Sequence, residues 1–393
     1  MQILKASNQW ATRPAEQRFW DLPELLAATK AIHDQAAEAT ANLGDIRVEA
    51  IDDDLRLVGK QGVPATISHF AFSQLAQRAK APAGYLRGLP PTLAAQNLNH
   101  GLKALGNESP DTKARLLFHR NGSLVLRAAT SEKYSRVWND ELVSRLMEVL
   151  PQGWRAPPAR PAPVSGNQRT RLATEADVSR LSQHLGLAVQ VGDTIAPAGL
   201  YASDKDVFMF MINEENPIDD GTGFPLFRGI MLWNSEVGDM SLGGMAFLLK
   251  GVCGNHIIHD ASSVFEFSFR HVGKVQERSN EALAVKIKQY ADNSANEQEG
   301  KLVRAKEMVL GANKEEVIAA VLGFVRAKKV AGVTQDTLDS AYDAAANHRD
   351  WYGSPNTVYG VVNGLTEVSQ RTTHTDDRMA LDKAAGRVLE MAF

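Results

Sequence analysis

Apolar positions along this chain change their period twice. Up to about residue 150, short β-type runs are interleaved with runs of helical spacing. Residues 46–51 (IRVEAI) and 55–58 (LRLV) flank Asp52-Asp53-Asp54 and predict a hairpin. Ser68 stands before HFAFSQLAQRAK, where Phe72, Leu75, Ala76 and Ala79 recur at helical spacing behind a good N-cap residue, and Pro82 stops the helix. Pro90-Pro91 opens another helix through Leu105, because proline suits a first helical turn. The sharpest local signal is RLLFHR-NG-SLVLRAAT over 115–130, where Asn121-Gly122 supplies the two positive-φ positions of a type I′ turn between β-rich runs. Asn139-Asp140 then starts a helix with Leu142, Leu146 and Val149 as its apolar stripe.

The first change comes at 155–171, RAPPARPAPVSGNQRTR, where proline and arginine replace large apolar residues and an extended, basic connection is expected. Thr174 and Asp177 form a capping box for a short helix ending near Gly186. From Gly199 to His271 strand follows strand, separated by turns rich in Gly, Asn, Pro and Asp. Beyond Lys274 the β signal ends, and helices are expected near 275–310, 314–329, 334–347, 356–370 and 376–391. These patterns predict an α+β protein with a mixed or antiparallel β-rich body and packed helices, followed by a helical C-terminal unit. The divisions fall at 1–154, 155–173, 174–272 and 273–393.

Composition is that of an ordinary globular chain: 393 residues, 44% hydrophobic and 23% charged. A disordered chain, a collagen-like rod and a disulfide framework are excluded. A single cysteine, Cys253, fits a reducing compartment, and no signal peptide or membrane anchor is visible, so a cytoplasmic protein without a membrane partner is expected. The net charge of −3 conceals a partition. Residues 113–171 hold 11 Lys/Arg and 4 acids, a balance of +7, whereas 204–239 hold 2 bases and 8 acids, a balance of −6.

Three constellations could carry chemistry. His256, His259 and Asp260, with His271 about one strand away and Glu236 as a further carboxylate, could ligate a metal, since imidazole and carboxylate suit zinc or iron. Within a strand, however, positions 256 and 259 face opposite sides, so a structural role outweighs that reading, and Cys253 has no neighbour to activate it. The acidic stretch 213–223 lacks the ligand spacing of a calcium loop and reads as a solvated connection. Neither a phosphate-binding G-x-x-x-x-G-K-S/T loop nor a G-x-S-x-G elbow occurs, and no cofactor is expected. The third is the basic stretch with interleaved aromatics. Phosphates need presented cations and unstacked bases need π-faces, so Arg115, Arg120, Arg127, Lys133 and Arg136 are candidate phosphate contacts, Arg169 and Arg171 a basic arm, and Tyr134 and Trp138 stacking platforms.

The block GLYASDKDVFMFMINEENPIDDG, followed by FRGIMLWNSEVGDMSLGGMAFLLKGVCGNHIIH, resembles the phage- and plasmid-associated family called domain of unknown function 932. Residues 67–102, the hairpin with RAATSEKYSRV after it, and the terminal NTVYGVVNGLTEVSQRTTHTDDRMALDKAAGRVLEMA agree in the same order. Within the block, Asn234-Ser235-Glu236-Val237-Gly238 and Cys253-Gly254-Asn255-His256 are the most recognisable segments. The resemblance implies a mobile-element protein and transfers no catalytic residue. The basic hairpin, connection and helix are also loosely similar to single-strand annealing proteins. The expectation is a homo-oligomeric protein that binds nucleic acid, single-stranded DNA above all, in recombination or replication. A metal-dependent enzyme and a non-enzymatic protein that binds a host factor are the alternatives.

Overall fold

The computed structural model of this chain describes residues 13–59, 63–109, 112–161, 169–185, 189–219, 225–250, 255–258, 266–292, 295–372 and 375–393. It is an α+β protein whose first sheet forms from residues before 132. Its elements are α1 (Leu22–Asp34), β1 (Ala36–Asn42), β2 (Arg47–Ile51), β3 (Asp54–Val58), β4 (Pro64–Ile67), α2 (His69–Arg78), α3 (Ala83–Arg87), α4 (Pro91–Glu108), β5 (Lys113–Asn121) and β6 (Ser123–Ser131). The strand order is β1-β5-β6-β4-β3-β2, antiparallel throughout except for β4 beside β6. The strands at the two edges are thus consecutive in sequence, joined by the 3-10 turn Leu43–Asp45. A flat six-stranded sheet would hold its edges about 24 Å apart, whereas five residue steps reach at most about 17 Å. The sheet must therefore curl. Its concave side is filled by Ala71, Phe72 and Leu75 of α2 and Leu98 and Leu102 of α4, against Val48, Leu57, Leu116 and Leu126.

Local chemistry sets these elements as the sequence predicts. Asp52 and Asp53 adopt positive φ between β2 and β3, and the Ser68 side chain accepts from the Ala71 amide to cap α2. At the β5–β6 hairpin the positive φ lies at Gly122, and Asn121 already pairs with Ser123, so the turn is tighter than the two-residue form expected. Leu117 pairs with Ala128 and Phe118 with Leu126, which leaves Arg127 as an extra, bulged residue in β6.

The second sheet is an antiparallel meander of β11 (Leu200–Ala202), β12 (Asp206–Asn213), β13 (Leu226–Ser235), β14 (Leu242–Lys250) and β15 (Asn255–Ile258). Helix α5 (Asn139–Val149) leads into it, β7 (Trp154–Arg155) adds to β12, and β16 (Glu266–Phe269) adds to β14. The described part of the Pro/Arg-rich connection is built into sheets: β8 (Arg160–Pro161) and β9 (Arg171–Leu172) flank β10 (Thr194–Ala196). Residues 162–168 lie outside the described residues. Thr174 and Asp177 cap α6 (Glu175–Leu185) reciprocally. Both faces of the meander are covered, which explains why its strands read as continuous apolar runs. Val207, Met209 and Met211 join α1, α5 and α7 (Val275–Asp292), while Phe208, Phe210 and Ile212 join Leu181 and Ile195. Phe247 lies across Gly229 and Trp233 across Gly243, cross-strand pairs in which a β-carbon on the glycine would collide with the ring.

The helical unit comprises α8 (Ala295–Glu307), α9 (Lys314–Ala327), α10 (Gln335–Asn347), α11 (Arg349–Tyr352), α12 (Val358–Arg371) and α13 (Thr375–Leu389). Helix α12 runs through its centre, and Gly364 approaches the Ala341 carbonyl of α10 too closely for any side chain. The unit packs on Ile218, Leu226 and Leu248 of the meander. Among the described residues, no helix is long and apolar enough to cross a membrane.

The β2 edge of the curled sheet is closed by a side chain. Asn99 of α4 accepts from the Val48 amide (2.9 Å) and donates to the Val48 carbonyl (2.7 Å), as a neighbouring strand would. Asn99→Ala strands both groups, and the expected cost, read by urea unfolding, is about 1–3 kcal/mol.

Candidate nucleic-acid interface

Five of the candidate residues converge, and they converge on an acidic turn of the protein itself. Residues 234–238, the Asn-Ser-Glu-Val-Gly block, leave the end of β13 and enter the outer face of the curled sheet. Glu236, 1% exposed, receives a 2.8 Å hydrogen bond from Arg127 and a 2.9 Å hydrogen bond from the Asn139 amide at the start of α5. Arg127 also donates to the Asp204 carbonyl. Arg136 donates to the Glu236 carbonyl and to Glu38 (2.7 Å), and its guanidinium lies over the Tyr134 and Trp138 rings. Arg115 reaches Glu38 and the Tyr134 carbonyl.

The rest of the turn is held as closely. Asn234 donates to the Val137 carbonyl and to Asn139, and the Tyr134 hydroxyl donates to the Ser235 carbonyl (2.9 Å). Gln74 of α2 donates to the Val237 carbonyl and accepts from the Ala129 amide, tying the turn to β6. Gly238, at φ 84°, brings the backbone against Tyr134. Tyr134 stacks on His271, and Trp138 on His33. Burial raises the Tyr134 pKa well above its ordinary value and lowers that of His271.

Arg127 and Arg136 are therefore interior groups facing carboxylate and carbonyl oxygens, and Tyr134 turns its face to His271 rather than to a ligand. They do not present cations to a phosphate, because the basic segment and the acidic segment meet each other. Sequence reading missed Glu236 as the centre of this cluster, although the segment charges of +7 and −6 carried the signal. The basic arm is also engaged. Arg169 reaches Glu24 and the Arg18 carbonyl, and Arg171 pairs with Asp177 while lying over Trp20. The Arg171 guanidinium holds the Asp177 carboxyl well below the usual carboxylate range. Glu214, expected in a solvated loop, is buried and paired with Arg180 and Arg155.

Arg120 and Lys133 differ: both are exposed and make no side-chain hydrogen bond or ion pair among the described residues. Arg120 shares a strand face with Leu116 and Phe118. These side chains line an open groove of about 1230 Å³ on the curled sheet, bounded by β1, by Leu57 to Gly59 and by Ser123 and Leu124. Lys113, on the opposite face of β5 and paired with Glu132 at 4.0 Å, borders its other end. Seven residue steps along β5 separate the two cations by about 23 Å.

Of the metal constellation, Cys253, His259 and Asp260 lie outside the described residues, as does the His256 side chain. His271 is buried, with Nδ1 3.2 Å from the Ser135 carbonyl. Among the described residues no three potential ligands gather. Searches against protein-family models, curated proteins and solved structures return no match to this chain.

Removing one partner from the buried pair leaves an uncompensated charge, so Glu236→Ala is expected to lower unfolding stability by about 3–5 kcal/mol in urea titration. His271, His69 and His119 all have lowered pKa values, each caused chiefly by burial. Below about pH 6.5 the unfolded chain takes up protons that the folded one refuses, so stability falls as pH falls through that region. Thermal unfolding between about pH 7.5 and 5 is expected to show a falling midpoint, with a shallower fall in His271→Gln.

Proposed function

We propose that this chain binds single-stranded nucleic acid along the groove of its curled sheet, as a protein of a phage or plasmid. The observation that carries this reading is the groove itself: an open channel beside the unpaired cation Arg120 and the Phe118 ring. A single strand needs cations spaced along its backbone and an aromatic surface for a base. A length of about 23 Å suits a few nucleotides, within the range of about 4–16 held by single-strand-binding domains. Lys133, exposed beyond the Lys113 end of the hairpin, is a second unpaired cation among the described residues. The residues proposed are thus Arg120 and Lys133 for phosphates and Phe118 for stacking. Arg127, Arg136, Arg169 and Arg171 act within the protein.

The test is fluorescence anisotropy of a labelled single-stranded oligonucleotide across a salt series. Arg120→Glu with Lys133→Glu is expected to weaken binding and to make the slope of log affinity against log salt shallower by about 1.4, two phosphate contacts at roughly 0.7 each. Absence of binding at low salt, or affinity indifferent to salt, overturns the reading.

A further inference from the structure

The curled sheet treats its two edges differently. At β2 the Asn99 side chain occupies Val48. At β1 nothing comparable is present: among the described residues, none of its outward backbone groups is hydrogen-bonded. Which groups these are follows from the ladder. The Arg120 amide donates to the Gln35 carbonyl and the Leu43 amide to the Thr112 carbonyl, at the two ends of the β1–β5 pairing. In an antiparallel ladder, bonded and non-bonded pairs alternate, so Ala37, Ala39 and Ala41 bond to β5. Ala36, Glu38, Thr40 and Asn42 direct their N–H and C=O groups outward. This seven-residue edge has no proline, glycine, lysine or bulge to block it, and its one charge, Glu38, is held by Arg115 and Arg136. Such an edge is a template for another strand.

We propose that the β1 edge is where a second copy of this chain docks, strand β1 pairing antiparallel with its own equivalent across a two-fold axis at Ala39. All seven residues of the strand overlap in that register alone. Full overlap sets Ala36 opposite the partner's Asn42 and Glu38 opposite the partner's Thr40, so all four outward residues of each copy fall in bonded pairs. Glu38 then faces a hydroxyl and never its own equivalent, which avoids like charges directly opposite. Small side chains at Ala37, Ala39 and Ala41 leave the groove side clear. At the β2 edge Asn99 already occupies Val48, which obstructs β1-to-β2 chaining, so the assembly expected is two copies with one twelve-stranded sheet.

The experiment needs no nucleic acid, so its outcome is separate from the groove reading. Sedimentation velocity over a concentration series is expected to show a monomer–dimer equilibrium. Thr40→Pro, which removes an outward N–H and no bond to β5, is expected to abolish the dimer at unchanged melting temperature. Thr40→Glu, which sets a carboxylate directly opposite the partner's Glu38, serves as the second dimer-blocking variant should proline perturb the strand. Ala39→Cys places two thiols across the axis at a separation suited to a disulfide and is expected to give a covalent dimer on oxidation, whereas Ala36→Cys is not. A chain that stays monomeric at all concentrations, with the amides of Glu38, Thr40 and Asn42 exchanging freely, overturns the proposal and leaves the edge to a strand from another protein. A dimer indifferent to both Thr40 variants overturns it as well.

Discussion

The contact between Arg127 and Glu236 constrains the rest of the molecule. Removing two charges from water costs several kcal/mol per ion, and their attraction offsets this only when the remaining polar atoms are also satisfied. The neighbouring features meet that condition for the carboxylate, whereas Nε and Nη1 of Arg127 find no hydrogen-bond partner among the described residues. Arg127 lies at the β6 bulge on the outer face, the start of α5 offers the Asn139 amide to the second carboxylate oxygen, and Arg136 occupies the Glu236 carbonyl. The turn itself is fixed from both ends by Asn234 and Gln74. The curled sheet and the meander are thus joined through a polar contact, with only the small apolar cluster of Leu117, Ala128 and Val237 beside it.

Local structure was largely legible in the chain because local chemistry decides it. Ser68, the Thr174/Asp177 box and the aspartates at 52–53 act within a few residues of themselves, and the helices after 274 follow from propensity and period. The hairpin was legible in position but not in facing. Counting alternate residues along β6 from Gly122 puts Leu124, Leu126 and then Ala128 on one side, whereas the bulge moves Ala128 to the outer face and Ala129 to the core. One extra residue carries no compositional mark, and it determines which of Ala128 and Ala129 enters the core.

The candidate site was less legible for a related reason. A segment's charge states how many cations it contains, not how many remain once the chain has folded against itself. Arg115, Arg127, Arg136, Arg155, Arg169 and Arg171 all find acidic partners inside the molecule. A polyanion approaching this protein meets a far less positive surface than the count of +7 implies. The near-neutral total charge was a truer guide to the surface than its most basic part.

The sequence separation of the buried pair has a temporal consequence. Arg127 and Glu236 are 109 residues apart. At synthesis rates of about 5–20 residues per second, the first sheet exists for roughly 5–20 s before its counter-charge has been made. During that interval the outer face of the sheet, with Arg127, Arg136 and Leu117, is open to solvent. The nascent chain is therefore a different electrostatic object from the finished one, cationic on the face that later becomes its interior.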